Sequence, residues 1–397
     1  MRQGFDIFVS GGGIAGLSAA AAFGSAGFSV MVVDPSPPAT CCTYPAADHR
    51  STVFLQPARN TLSCAGIWDK LAPFAAPLQI MRIADAGGEA SVIRKVADFN
   101  AAEISDQPFG WNLPNWLLRR EMTARLAELG NVNFRPGVGT GRITQRTGEV
   151  LVSLTDGTQI ATPLVVAADG RNSFVRDSLG IAVTRWTYGQ QAMAFTVRHA
   201  GPGNDISTEI HRTGGPFTLV PLPDGPDGPE SAVVWMERTA RAEVLMAMDA
   251  DEFSAAASER SCNLHGPLHL SSPRSIWPVI SMQAKALTDE RVALISEAAH
   301  VVPPIGAQGL NMSLADIETL LSLARKSPQA PGSRQMLATY AKRRQPDITA
   351  RLHGVDMLNR VAMANSRSLR DLRLKGLGYL HGLTAMRRVA MRTGLGG

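Results

Sequence analysis

The chain has 397 residues, 45% of them hydrophobic and 18% charged, with a formal net charge of +5. That is the composition of a soluble globular protein, and the length calls for two domains, or one with large insertions, around an ample core. The cationic excess is too mild to call for nucleic acid, and no apolar run is long enough for a membrane-spanning helix.

Phe5 to Ser10 reads as a short apolar strand, and Gly11-Gly12-Gly13-Ile14-Ala15-Gly16 follows it. Leu17 to Gly27 is rich in Ala and reads as a helix closed by Gly27, and Ser29 to Val33 is a second strand ending at Asp34. Strand, Gly turn, helix, strand and acid in this order form the dinucleotide fingerprint. Gly11 permits the tight turn, Gly13 lets backbone approach a pyrophosphate, and Gly16 lets helix and strand pack closely. Ala15 belongs to the same turn. Asp34 is placed to accept a hydrogen bond from a ribose 2′-OH, which argues against a 2′-phosphate. The motif does not separate FAD from NAD.

Pro35 to Asp48 is a loop with four prolines. Leu55 to Leu71 reads as a helix, Gln79 to Phe99 as a hairpin around Gly87-Gly88, and Leu117 to Leu129 as an amphipathic helix carrying Arg119 and Met122. Val150 to Val166 gives strand, Asp156-Gly157 turn and strand, leading into Ala167-Ala168-Asp169-Gly170-Arg171. Asp169 ends that strand where the backbone must turn sharply, and Gly170 permits the turn. Strands at 192–198, 208–211, 217–222 and 232–237 follow with no helix between them, which predicts a mostly antiparallel sheet. A helix is expected from Arg241 to Cys262. His211, Arg212 and Trp235 are candidates for lining a site there, although each residue type is more often an ordinary sheet residue.

Val292 to Ile295 is an apolar strand, followed by a loop built on Pro303, Pro304, Gly306 and Gly309. Leu310, Leu314, Ile317 and Leu321 then recur at helical spacing. The first N–H groups of such a helix lack partners and its dipole is positive there, which suits the developing negative charge of an electron-accepting ring. A long helix from Gln335 to about Met363, holding Pro346, comes next. From Arg367 the chain carries seven Lys or Arg residues, one acid (Asp371) and interleaved Leu and Met. This basic amphipathic stretch fits an anionic membrane surface or a helix packed on its own domain with a solvated basic face.

The four cysteines, Cys41, Cys42, Cys64 and Cys262, have neither metal-ligand spacing nor a dense disulfide framework, so no metal site is expected. No secretory signal opens the chain. A cytoplasmic protein is expected, with peripheral contact on the inner face of the membrane left open.

The string AAHVVPPIGAQGLN, Ala298 to Asn311, resembles the second flavin-binding motif of the aromatic-ring flavoprotein monooxygenases, the class typified by 4-hydroxybenzoate hydroxylase. The resemblance implies that Pro304 lies against the flavin ring near the site of oxygen reaction. It implies that the backbone of Gly306, Gly309, Leu310 and Asn311 contacts the pyrimidine end. The family has Gly-Asp before Ala-Ala-His, where the Asp holds the ribityl chain; this chain has Ser296-Glu297, which keeps the charge one methylene further out. By the same resemblance Arg50 closes over the cofactor and Arg119 contacts its ribityl-phosphate region. Asp169 belongs to a motif near the pyrophosphate that is also tied to NAD(P)H use. Ile67-Trp68, Tyr340 with Arg343 and Arg344, and the C-terminal segment are similar to the ubiquinone-biosynthesis hydroxylases of this class.

Three Gly/Asp motifs in the first, middle and last third of the chain predict an α/β fold. Its Rossmann-like FAD-binding domain is assembled from 1–75, 101–185 and 285–365. A mostly antiparallel β-sheet substrate domain, 76–100 and 186–284, is inserted, and 366–397 forms a C-terminal basic amphipathic helical segment. A second Gly motif with its own acid is missing, which fits NAD(P)H as a transient visitor. The resemblance implies an FAD-dependent monooxygenase that hydroxylates the ring of a polyprenylated phenol in ubiquinone biosynthesis. It would use NAD(P)H and O₂ through a flavin hydroperoxide, and could work within a ubiquinone-biosynthesis complex. Two alternatives stay open: a soluble monooxygenase of a small aromatic acid, and a non-catalytic scaffold subunit. Ser296-Glu297, and Ser313 where the family has Gly, keep the second alive.

Overall fold

The computed structural model describes residues 2–44, 46–88, 92–201, 205–225, 228–364 and 366–395. Its organising element is a six-stranded sheet in the order Thr288–Asp289, Val292–Leu294, Leu164–Ala167, Ile7–Ser10, Val30–Asp34, Val132–Pro136. The last five run parallel. Every residue of Ile7–Ser10, Leu164–Ala167 and Val292–Leu294 is buried, as a parallel sheet covered on both faces requires. The helix Ile14–Ser25 lies against it with ten of twelve residues buried, and its small side chains admit the neighbouring helices Asn115–Glu128 and Gln308–Lys326 closely.

A nine-stranded sheet stands beside it. From His300–Val301 its order is Ser275–Ala284, Val183–Arg198, Glu230–Arg238, Pro216–Pro221, Ile206–His211, Ile80–Asp85 and Lys95–Asn100, with His269–Leu270 branching off. It is antiparallel apart from the contact of Ile206–His211 with Ile80–Asp85. Helices Thr239–Ala247 and Ala250–Arg260 cover one face over a separate core containing Phe195, Phe217, Trp235 and Phe253. A four-stranded and a three-stranded sheet complete the fold. The four cysteines are free thiols. No helix among the described residues is long and apolar enough to cross a membrane.

The α/β architecture is the one expected, and the departures from expectation are local. The helix expected over 55–71 is two, Gln56–Cys64 and Trp68–Leu71, because Gly66 takes a left-handed conformation between them. The helix expected over 241–262 is also two. Asp249 interrupts it as an N-cap whose carboxylate accepts from Glu252 N–H at 2.8 Å and Asp251 N–H at 3.0 Å. The strand expected up to Val166 divides at Pro163, its halves Gln159–Thr162 and Leu164–Ala167 going to different sheets. The strand Ser275–Ala284 was not anticipated, because Pro278 lies inside it. The sheet accommodates that proline at an irregularity, where pairing jumps between Thr187 and Gln191. The helix with Arg119 begins two residues earlier than expected, at Asn115. The hairpin over 79–99 forms, with its tip at 89–91 outside the described residues.

The C-terminal helices Arg367–Gly382 and Thr384–Leu395 pack on the strand Lys95–Asn100. Three ion pairs fasten them: Arg373 to the buried Asp85 at 2.9 Å, Arg94 to Asp371 at 2.6 Å and Arg387 to Glu103 at 2.7 Å.

Candidate functional site

The three sequence motifs follow neighbouring strands. In register, Ala167 pairs with Ser10 on one side and with Leu294 on the other. Gly11, Asp169 and Ser296-Glu297 therefore leave the sheet at the same end, the carboxyl end of parallel strands, where such sheets open a crevice. A cavity of about 670 Å³ lies there. Gly11, Gly13, Ala15, Asp34, Arg50, Arg119, Asp169, Glu297, Gly309 and Leu310 all line it.

A second cavity of about 360 Å³ adjoins it. It is mostly apolar, with Val53, Leu78, Phe109, Val220, Val234 and Trp277 among its walls, and Pro304 and Gly306 line this cavity rather than the first. Ile14, Arg50, Arg171, Glu297, Val301, Val302, Gly309 and Leu310 are among the residues that line both. The helix Gln308–Lys326 starts at this junction with Ala307 in a left-handed conformation and no side chain capping it. Its first N–H groups are thus open where the cavities meet.

A sequence model described as an FAD binding domain matches residues 5–353. The chain belongs to the FAD-binding domain family. It is 29% identical to a ubiquinone hydroxylase of Rhodospirillum rubrum, over 98% of this chain and 89% of that protein. It is 25% identical to the 3-demethoxyubiquinol 3-hydroxylase of Escherichia coli, over 100% of this chain and 99% of that protein. Among solved structures, p-nitrophenol 4-monooxygenase of Pseudomonas putida superposes with a TM-score of 0.81 at 20% identity, covering 100% of this chain and 99% of that one. That likeness shows the fold.

The first cavity of this FAD-binding chain has the features a dinucleotide needs. A Cβ on Gly11, whose φ is +109°, would overlap the Ala168 carbonyl, and one on Gly16 would overlap the Gly11 carbonyl. Both glycines are thus needed for packing, and Gly16 lines neither cavity. A Cβ on Gly13 or Gly309 would meet nothing within 4 Å, so their bareness keeps space open. Asp34 is held at the strand end by the N–H groups of Gly12 at 2.6 Å and Ser36 at 2.8 Å, and each carboxylate oxygen retains acceptor capacity. Arg119 has its Nε buried without a hydrogen-bond partner at the cavity wall, a donor waiting for an acceptor.

The carboxylate of Asp169 is occupied locally. It accepts from the Ser173 hydroxyl at 2.5 Å and from Val175 N–H at 3.0 Å, and burial pushes its pKa up against these bonds. Glu297 is engaged by Arg171 in a two-pronged pair, both contacts 3.0 Å. Arg50 is held by Asp48 through Nε at 2.8 Å and Nη2 at 2.7 Å, with its guanidinium 5.3 Å from the centre of the Trp277 ring. Asn311 lines neither cavity. Its side chain accepts from Leu55 N–H at 2.9 Å and donates to Val53 O at 2.8 Å, tying the strand Ser51–Leu55 to the start of the Gln308–Lys326 helix.

Of the residues considered for the substrate side, Trp235 sits in the second core, Arg212 meets Glu259 at the surface, and none of the three lines a cavity. His211 instead bonds Glu209, and Glu209 does line the second cavity. Nothing in the sequence distinguishes Glu209 from any other polar residue of an alternating strand.

Asp316 lies outside the motifs legible in the sequence. It is fully buried, one turn beyond the motif, and reaches back across it. Its Oδ2 accepts from His300 Nε2 at 2.7 Å and from Ser296 N–H at 3.1 Å, and its Oδ1 from Arg344 Nε at 2.7 Å. Ser296, where the family has Gly, takes a left-handed φ of +57°, so this contact holds a conformation a side chain rarely adopts. Burial opposes ionisation of Asp316, but His300 and Arg344 outweigh it and hold the carboxyl below its usual range. A depressed folded pKa gives stability that is present above the unfolded value, about 3.9, and lost as pH falls through the folded one. Asp316→Asn should therefore lower unfolding free energy by about 3 kcal/mol at pH 7, with the gap from wild type narrowing below about pH 4. Urea unfolding at both pH values measures this, and an unchanged midpoint at pH 7 would contradict it.

Proposed function

We propose that the chain, an FAD-dependent monooxygenase, hydroxylates the aromatic ring of a polyprenylated phenol in ubiquinone biosynthesis, with NAD(P)H as reductant and O₂ as oxidant. The observation that carries this reading is the shared wall between the two cavities. A cofactor-sized cavity walled by glycine turns and charged side chains and a smaller, mostly apolar one meet at Arg50, Glu297, Gly309 and Leu310, beside an uncapped helix start. The relatives named for ubiquinone chemistry match over almost the whole chain, which supports the substrate class.

FAD bound in the first cavity would supply the redox chemistry, activating O₂ as an electrophilic oxygen donor toward the electron-rich ring. The residues of this chain set the conditions for it. Gly13 and the turn after Ser10 would leave room for its pyrophosphate, Asp34 would accept from its ribose, and Arg119 would donate to its phosphate-ribityl region. The open N–H groups from Gln308 to Leu310 would steady negative charge on its ring. Pro303, Pro304, Val301 and Val302 wall the junction with apolar surface and exclude water. Glu209 faces the phenol from the sheet side. It accepts the phenolic proton, which raises electron density ortho and para to the oxygen, while His211 Nε2 holds it in place. The second cavity suits a substituted ring, and a tail of several isoprene units must leave through its mouth.

With a prenylated phenol in detergent, NAD(P)H oxidation should accelerate and one atom of labelled O₂ should enter the ring. Oxidation indifferent to phenol, or faster with simple hydroxybenzoates, would sink the substrate class. Glu209→Gln should lower kcat about a hundredfold; an unaltered kcat would exclude Glu209 as the base. Arg119→Ala should weaken FAD binding about tenfold, measured by flavin fluorescence quenching on the apoprotein. Because Arg119 Nε has no protein partner, the apoprotein's melting temperature should stay the same. Equal FAD affinity in the two proteins would remove Arg119 from the site.

A further inference from the structure

The two C-terminal helices carry an outer face that the fold does not explain. Leu369, Leu372 and Tyr379 recur with Gly376 at steps of three and four, which places them on one side of the Arg367–Gly382 helix, and Leu383 follows at its end. Met386 and Val389 continue the apolar surface on Thr384–Leu395. All six large side chains are between 50% and 71% exposed. Isolated exposed apolar residues are ordinary, but a run of six on two successive helices is not.

Charge says what would cover it. Lys375, Arg388 and Arg392 are exposed on the same helices. The single acid of the segment, Asp371, is neutralised by Arg94 at 2.6 Å. The helices are firmly seated rather than trailing, because Arg373 reaches inward to the buried Asp85 and Arg387 to Glu103. Apolar side chains beside unopposed cations on a seated helix pair match the acyl boundary and headgroups of an anionic bilayer.

Position gives the face a use. Met391 packs in one cluster with Phe109, which lines the second cavity, and the Gly394 carbonyl accepts from Gln308 Nε2 at 3.2 Å, another lining residue. The two helices thus form outer masonry of the substrate cavity. We propose that their outer face docks the enzyme on an anionic lipid surface, setting the cavity beside the membrane. Its purpose, collecting a lipophilic phenol whose tail stays in the bilayer, rests on the reading given above.

The test is vesicle co-sedimentation of the FAD-loaded full chain, without substrate or turnover. The protein should pellet with phosphatidylcholine vesicles containing phosphatidylglycerol, pellet poorly with phosphatidylcholine alone, and release as salt rises. Leu372→Glu with Tyr379→Glu should lower binding about tenfold or more, with FAD content and melting temperature unchanged. Lys375→Glu with Arg388→Glu and Arg392→Glu should do the same through charge alone, an independent arm if the first variant folds poorly. Wild type that stays in the supernatant with both lipid mixtures would overturn the proposal, as would variants that pellet like wild type. A face buried against a second copy or a protein partner would also overturn it, and would show as a particle mass that falls when Leu372 and Tyr379 are charged. Failure here with intact hydroxylation of detergent-solubilised phenol would leave the enzymatic reading standing. Vesicle binding with no such hydroxylation would do the reverse.

Discussion

A carboxylate removed from water is tolerated only when donors surround it, and the loop between the two cavities depends on one that is so surrounded. Asp316 gathers Ser296 N–H and His300 Nε2 from one loop and Arg344 Nε from a distant helix. Tyr340, one turn before Arg344, adds a hydroxyl bond to Leu294 O at 2.9 Å. The strand end, the turn after it, the start of one helix and the body of the next are thereby locked together. Without this lock Ser296 would have no reason to keep a left-handed backbone, and Glu297 would not be aimed at the cavity with Arg171. Buried polar clusters are weak sources of net stability but strong sources of definition, and definition is what a cofactor site needs.

The second constraint is the order of strands. Residues near 10, 168 and 295 are remote in sequence, yet parallel pairing places them side by side. Each strand end contributes what its local sequence allows: a bare Gly turn, a capped Asp-Gly turn, and a strained Ser-Glu turn. The nine-stranded sheet then supplies Glu209, Val220, Val234 and Trp277 from one face. The two cavities therefore lean on different sheets, and they meet at the loop that Asp316 holds.

Much of this was legible in the sequence, for reasons that can be named. The Gly11–Gly16 turn, Asp34 and the Ala298–Asn311 string depend on local backbone conformation, which adjacent residues encode. Their convergence followed from the chain order of three motifs. Tyr340 and Arg344 were visible as an element, but their partners were not. Asp316, Glu209 and Trp277 depend on which distant strands or helices meet, and a single sequence does not encode that locally. A buried acid on an otherwise apolar helix face, between Leu314 and Ile317, was the one available signal for Asp316. Pro278 hid a strand because proline rarely sits inside one, and only the irregular pairing across from it makes room. The motif points to the backbone of Asn311 as a cofactor contact, and gives no sign that its side chain joins a strand to a helix.

The account stands on one claim, that the 670 Å³ cavity holds FAD with its ring against the apolar cavity. The visible absorption spectrum of the purified protein, with the released cofactor identified, tests it most directly. The account predicts oxidised flavin bands, FAD recovered at about one per chain, and a shift of those bands when a prenylated phenol is added. A colourless protein that takes up no added FAD would contradict it, and bound FAD whose bands ignore every phenol would contradict the shared wall.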